Sequence, residues 1–180
     1  MNTQELFDLV RFDHDESAFN ALYRMQATKL SRFACTFLDD TEAGKEIVND
    51  VFVKLWHNRD SLAMVRNIEI YLYVSVKNAS LNYLKSTSSR KARELNAGNR
   101  LYFQLNADPS QLLISKQLQQ EIVAAVNNLP PRCKLIFKMV KEDGLTCNEV
   151  ATILDLSNKT VFAQLAIAVK KIESVVSNFR

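Results

Sequence analysis

At 180 residues the chain has room for one domain or two small ones. Its 47% hydrophobic content supports packed cores and excludes disorder, and only three Gly and three Pro interrupt it, which points to an all-α protein. No apolar run reaches the roughly 20 residues of a membrane span, and Met1-Asn-Thr-Gln-Glu5 lacks the basic and apolar regions of a signal peptide, so the expected compartment is the cytoplasm.

The net charge of +3 is unevenly spread. Residues 1–62 carry seven Lys and Arg against eleven Asp and Glu, residues 63–100 seven against two, and residues 101–180 nine against seven. A basic middle between an acidic head and a mildly basic tail suggests that the middle meets nucleic acid. Cys35, Cys133 and Cys147 lie far apart in apolar helical patterns and read as small buried or half-buried thiols. His14 and His57 have no partners at metal-ligand spacing, so no metal and no cofactor is expected. Gly-rich phosphate loops, nucleophile elbows and paired-carboxylate sites are absent from the sequence, which argues against an enzyme.

Residues 3–11 read as a short amphipathic helix, and Asp13 to Ser17 as a polar break rich in caps. Phe19, Leu22, Tyr23, Leu30, Phe33 and Phe37 keep helical spacing to about Leu38. Asp39-Asp40-Thr41 ends that helix and caps the next, Thr41 to His57. There Ile47, Val48, Val51, Phe52, Leu55 and Trp56 form a wide apolar stripe, with Lys45, Asn49, Asp50, Lys54 and His57 on the other side. Asn58 to Asn67 reads as a loop. Ile68 to about Lys85 reads as a helix with Tyr71, Leu72, Ser75, Ala79 and Leu84 inward. Ser86-Thr-Ser-Ser-Arg-Lys-Ala-Arg93 reads as its basic, flexible end, and Ala97-Gly-Asn99 and Asn106-Ala-Asp-Pro109 continue a linker. Leu101, Tyr102, Phe103 and Leu105 are apolar for a solvated tether.

Asp108-Pro109 opens a helix to about Asn128, with Leu113, Leu118, Ile122 and Val126 inward. Leu129-Pro130-Pro131-Arg132 ends it and starts another, which carries Leu135, Ile136 and Met139 and closes at Gly144. Thr146 and Glu149 then have the spacing of a capping box. Asp155 stands where the chain needs a left-handed residue, and Ser157 is a good N-cap. Val161, Leu165, Ala168 and Ile172 make one stripe on the final helix. Short helix, tight turn and longer helix spell a helix-turn-helix, whose second helix would enter a DNA major groove. A helical hairpin inside a core would show the same spacing, so this pattern alone leaves both readings open.

Separated stretches then point the same way. Ile47-Val-Asn-Asp-Val-Phe-Val-Lys-Leu-Trp56 resembles the polymerase-binding helix of RNA polymerase sigma factors. Tyr71-Leu-Tyr73 and Lys77-Asn-Ala-Ser-Leu-Asn-Tyr-Leu84 resemble their −10-reading helix. Leu129-Pro-Pro-Arg-Cys133, Gly144-Leu-Thr146 and Ser157-Asn-Lys-Thr-Val161 resemble their −35-reading domain. The order and the short length match the extracytoplasmic-function (ECF) group, and only the linker falls outside the resemblance. It implies two small helical domains, residues 1–88 and 110–180, joined by a linker at 89–109. It also implies a non-enzymatic role: binding core RNA polymerase, finding promoter DNA and helping to open it. Members of the group are commonly held by an anti-sigma factor, often membrane-bound.

Carried onto this sequence, the resemblance assigns polymerase contact to Asn49, Asp50, Val53, Lys54 and His57. It assigns −10 reading and melting to Asn78 and Asn82, with Lys77 and Lys85 on phosphates and the loop residues Arg59, Arg66 and Asn67 around a flipped base. The −35 element falls to Asn158, Lys159, Thr160, Phe162, Ala163, Gln164 and Lys170. Two departures stand out. Gly44-Lys45-Glu46 replaces the usual Ala-Glu-Asp and reverses one charge, and Phe162, Ala163, Gln164 and Ile167 stand where the family often has Arg or Lys. The second departure implies weak −35 binding. A stand-alone helix-turn-helix regulator would account for residues 130–180 but leave the two N-terminal motifs without a role. A protein that occupies polymerase without initiating would suit the apolar recognition helix.

Overall fold

The computed structural model describes residues 1–38, 40–94 and 116–177, and of residues 88–94 and 116–119 the backbone alone. Every regular element among the described residues is helical. The chain divides into two compact units, Met1–Gln104 and Leu105–Arg180.

The first unit contains α1 (Thr3–Phe12), α2 (Glu16–Ala34), α3 (Thr41–Asn58), a 3-10 turn at Arg59–Leu62 and α4 (Ile68–Glu94). Each early helix starts on a side chain that satisfies its orphan N–H groups. Asn2 accepts from the Glu5 N–H at 2.8 Å, and the Glu5 carboxylate takes the Asn2 N–H at 2.9 Å. Asp15 accepts from the N–H groups of Ser17 and Ala18 at 2.7 and 3.1 Å. The Ser17 hydroxyl, then these backbone donors, hold the Asp15 carboxyl below its usual range. Asp40 caps α3 through Glu42 and Ala43.

Leu22, Leu30, Phe52, Leu55, Leu72 and Tyr73 are fully buried, and each such side chain contributes about 1.5–3 kcal/mol. Edge-on ring contacts join the helices, Phe33 with Tyr73 at 4.9 Å and Tyr23 with Phe52 at 5.0 Å. A polar link crosses the same core. Buried Gln26 donates to Thr3 Oγ1 at 3.2 Å and Glu69 Oε1 at 3.3 Å, while Gln4 accepts the Ile68 N–H at 3.0 Å.

The second unit contains α5 (Lys116–Asn127), α6 (Pro131–Lys141), α7 (Cys147–Leu154) and α8 (Asn158–Ser177). Pro131 sits at the first position of α6, where its missing N–H costs nothing. Gly144 takes φ +80°, and the Leu145 N–H returns to the Met139 carbonyl at 3.0 Å. The Thr146–Glu149 capping box is formed, Asp155 is left-handed at φ 56°, and Ser157 Oγ accepts the Thr160 N–H at 3.1 Å. Ile136, Met139, Val150, Ile153, Val161 and Ala168 fill the core, with Leu165 and Ile172 half-buried. The expected helix-turn-helix is therefore present.

Four expectations need correcting. α2 ends at Ala34 rather than Leu38, because Cys35 to Phe37 turn, although Leu38 stays buried. Part of the 58–67 loop is a 3-10 turn that continues directly from α3, since no Gly or Pro stops it. α4 runs on to Glu94, through the stretch read as a flexible end. Ser and Thr cost a helix only tenths of a kcal/mol, and an existing helix extends without a new nucleus. Finally, α4 buries Ile68, Leu72, Tyr73, Val76 and Ser80, while of the residues expected inward Tyr71, Ser75, Ala79 and Leu84 are only half-buried. The rest of the expected linker, the helix start at Asp108-Pro109 and the side chains of Leu113 and Leu118 lie outside the described residues.

Candidate partner and DNA surfaces

α3 divides cleanly into two faces. Ile47, Val48, Val51, Phe52 and Leu55 are buried, while Asn49, Asp50, Val53, Lys54 and His57 are all exposed. Val53 is the telling residue, since a valine left 54% exposed beside a filled core is an apolar group the core does not use. Asn49 is already engaged, accepting the Tyr23 hydroxyl at 2.7 Å, which fixes its amide on the surface.

The loop and the start of α4 form a second surface. Asn78 and Asn82 are exposed one turn apart, opposite the buried Leu72–Val76–Ser80 line, with Lys77 half-buried and Lys85 exposed beside them. Arg66 is exposed. Asn67 accepts the Ile70 N–H at 3.0 Å, so its side chain caps α4. Arg59 gives two donors to protein atoms. Its Nε gives to His14 Nδ1 at 2.7 Å, its Nη1 to the Trp56 carbonyl at 2.6 Å, and its guanidinium lies 4.4 Å from the Trp56 ring centre. Through these contacts Arg59 and Asn67 brace the two ends of the loop. Sequence reasoning missed Arg11, whose Nη1 donates to the carbonyls of Leu62 at 3.3 Å and Ala63 at 3.0 Å. A partner some fifty positions away leaves no local spacing to find.

The third surface is α8. Asn158, Lys159, Ala163 and Lys170 are exposed, as are Phe162 at 58% and Ile167 at 45%. Thr160 is half-buried, its hydroxyl 2.8 Å from that of Ser157. Gln164 is half-buried too, and its amide oxygen accepts the Cys133 thiol at 2.8 Å. Burial pushes the Cys133 thiol up, which keeps it protonated and able to donate. Gln164 therefore offers mainly its NH₂ group outward, rather than the donor–acceptor pair that would read adenine. Among the described residues no helix is long and apolar enough to cross a membrane.

Comparison with known proteins gives these surfaces a context. Residues 22–90 match the family profile of Sigma-70 region 2, and residues 119–172 that of Sigma-70, region 4, together more than half the chain. The ECF RNA polymerase sigma-E factor of Escherichia coli is 23% identical over 171 residues, spanning 90% of this chain and 88% of that protein. Its counterpart in Haemophilus influenzae is 22% identical over 172 residues, spanning 90% and 89%. Among solved structures, the sigma factor RpoE in complex with the anti-sigma factor NepR from Bartonella quintana matches with a TM-score of 0.60 at 18% identity, over 90% of this chain and 98% of that one. CnrH in complex with the cytosolic domain of CnrY matches with a TM-score of 0.57 at 17% identity, over 98% and 99%. With region 2 and region 4 in that order on two helical units, the chain belongs to the sigma-70 family and to its ECF group.

Proposed function

We propose that this protein binds core RNA polymerase, directs it to particular promoters and helps to open the DNA there, catalysing no reaction itself. The observation that carries the reading is the division of α3, whose apolar side is used up in the core while Asn49, Asp50, Val53, Lys54 and His57 stay exposed inside the region 2 match. A stand-alone regulator would leave that match without a role. In this reading α3 docks on polymerase, Asn78 and Asn82 read bases of the −10 element, and Lys77, Lys85 and Arg66 meet phosphates. The loop at 59–67 receives an unstacked base, and Arg59 and Asn67 serve it by holding its frame. The outward side of α8 meets the −35 element. Residues 89–109 connect the domains 1–88 and 110–180, so that each reader raises the effective concentration of the other. Polymerase and promoter set the compartment as the cytoplasm.

An anti-sigma factor is a further partner. The matched RpoE structure contains one, and Phe162 and Ile167 are large apolar side chains left exposed on α8, of the kind that protein partners cover. The same apolar residues favour a second reading, a protein that occupies polymerase without initiating. Co-purification with core polymerase is the first test. Asp50→Arg with Lys54→Glu should weaken association at least tenfold while leaving the fold intact, since exposed substitutions usually cost within about 0.5 kcal/mol. Unchanged affinity in the folded double variant would remove α3 as the docking element.

A further inference from the structure

We infer that Arg11 of α1 is a positioning residue for promoter opening: its guanidinium fixes the backbone of the 59–67 loop in the shape that receives a base. The inference rests on the reading of that loop as a base receiver. The 3-10 turn at Arg59–Leu62 has no buried residue and no side-chain cap. After it, Ala63 and Arg66 are exposed, and Met64 is 88% exposed. Packing therefore does little to give this segment one shape. Hydrogen bonds to charged groups do more. Arg11 Nη1 reaches two successive carbonyls, those of Leu62 and Ala63, at 3.3 and 3.0 Å. The Leu62 carbonyl also takes the Val65 N–H at 3.0 Å, so Arg11 braces a turn that the backbone itself closes with one bond.

Arg11 is itself held. Its side chain is 13% exposed, Asp8 stands 3.6 Å away, and the rings of Phe12 and Phe7 lie 4.2 and 5.7 Å from its guanidinium. Its Nε is buried without a hydrogen-bond partner. What the arrangement does provide is a fixed cation on a surface loop, carried by a helix that Leu6, Phe7 and Val10 anchor in the core. The other end of the loop is tied to the same region by Arg59, which donates to His14 just beyond α1. A loop ordered in advance does not have to lose its freedom at the moment the base arrives. The bases meet the exposed side, and α1 sets the frame from behind.

The test uses holoenzyme assembled from core polymerase and the full chain, with Arg11→Gln, Arg11→Lys and, as a loop control, Met64→Ala with Arg66→Ala. Three quantities are read: affinity for core, opening rate on duplex promoter from a fluorescent base analogue, and opening rate with each base at each −10 position. Arg11→Gln should keep core affinity within about twofold and slow opening about tenfold, the lower end of what losing charge-assisted bonds costs. It should also flatten base preference at the same position as the loop control, with Arg11→Lys intermediate. If the loop control flattens a position and Arg11→Gln does not, the inference fails while the loop reading stands. If the loop control flattens none, the loop reading fails and this inference with it. A parallel loss of core affinity and opening in Arg11→Gln would mark Arg11 as structural and also overturn it. Should Arg11→Gln lose its helical signal, Arg11→Lys decides by the same two readouts, because it keeps a cation beside Phe12.

Discussion

Gly44 is buried where α3 passes α2, and a Cβ built on it would stand 2.9 Å from Cys35 Sγ and 3.6 Å from the Ala34 Cβ. Glycine in a helix costs roughly 0.5–1 kcal/mol relative to alanine, so the close approach has to offset that. The departure from the family's usual alanine thus has a local cause in the neighbouring thiol. Gly44→Ala alone should destabilise the first unit by about 1 kcal/mol through overpacking. In a Cys35→Ala background the same change should stabilise by several tenths of a kcal/mol, since the obstacle is gone and the helix gains. Urea midpoints of the four variants measure the coupling, and simple additivity would refute the contact. Some residue roles were legible from the chain alone. Asp155 and the Thr146–Glu149 pair are local devices, and local spacing predicts them. Gln164 was legible only in part. Its place at the edge of α8 follows from periodicity, but the Cys133 thiol that takes its carbonyl comes from another helix.

At the scale of the element, α3 and α4 differ instructively. In α3 the pairs Ile47–Val48, Val51–Phe52 and Leu55–Trp56 recur every four residues, with Val53 the one apolar residue set between them, so the stripe and the opposite face were both readable. In α4 the run Tyr71-Leu-Tyr-Val-Ser-Val76 is apolar at all but one position, so periodicity could not choose the buried side. Tertiary packing chose it, through Tyr73 against Phe33. Asn78 and Asn82 lie exposed because that packing turns the Leu72–Val76–Ser80 line inward, whereas an inner face of Tyr71 and Ser75 would have drawn both asparagines toward the core. Each asparagine is predicted to discriminate one base of the −10 element. Asn78→Ala or Asn82→Ala should relax preference at a single position by roughly 1–3 kcal/mol, measured as opening rates on a set of single-base promoter variants. Equal losses on every variant would mean that the side chain meets the backbone instead.

α8 makes a different kind of surface. Its outward side offers Lys159 and Lys170 but also Phe162, Ala163 and Ile167. Phosphate neutralisation sets the salt dependence, at a log–log slope of about −0.9 per phosphate met. The isolated domain of residues 110–180 should therefore bind its −35 element weakly, with a slope near −2. Titration with promoter DNA at several salt concentrations measures it, and tight binding with a slope of about −5 or steeper would contradict this account.

For the whole molecule, two readers of unequal strength on one chain give a simple logic. In the proposed function the first unit would combine polymerase docking with base reading, and the second would add a weak contact whose effect depends on being tethered. Neither unit alone would select a promoter well. The central claim is that the intact chain turns core polymerase into a promoter-specific enzyme. Run-off transcription on fragmented genomic DNA, with core polymerase and with or without the purified chain, tests this most directly. The account predicts discrete transcripts from a small set of start sites that appear only when the chain is added and that fade with Asp50→Arg/Lys54→Glu. Stable binding of the chain to core with no chain-dependent transcript from any fragment would contradict it, and would leave a protein that occupies polymerase without starting transcription.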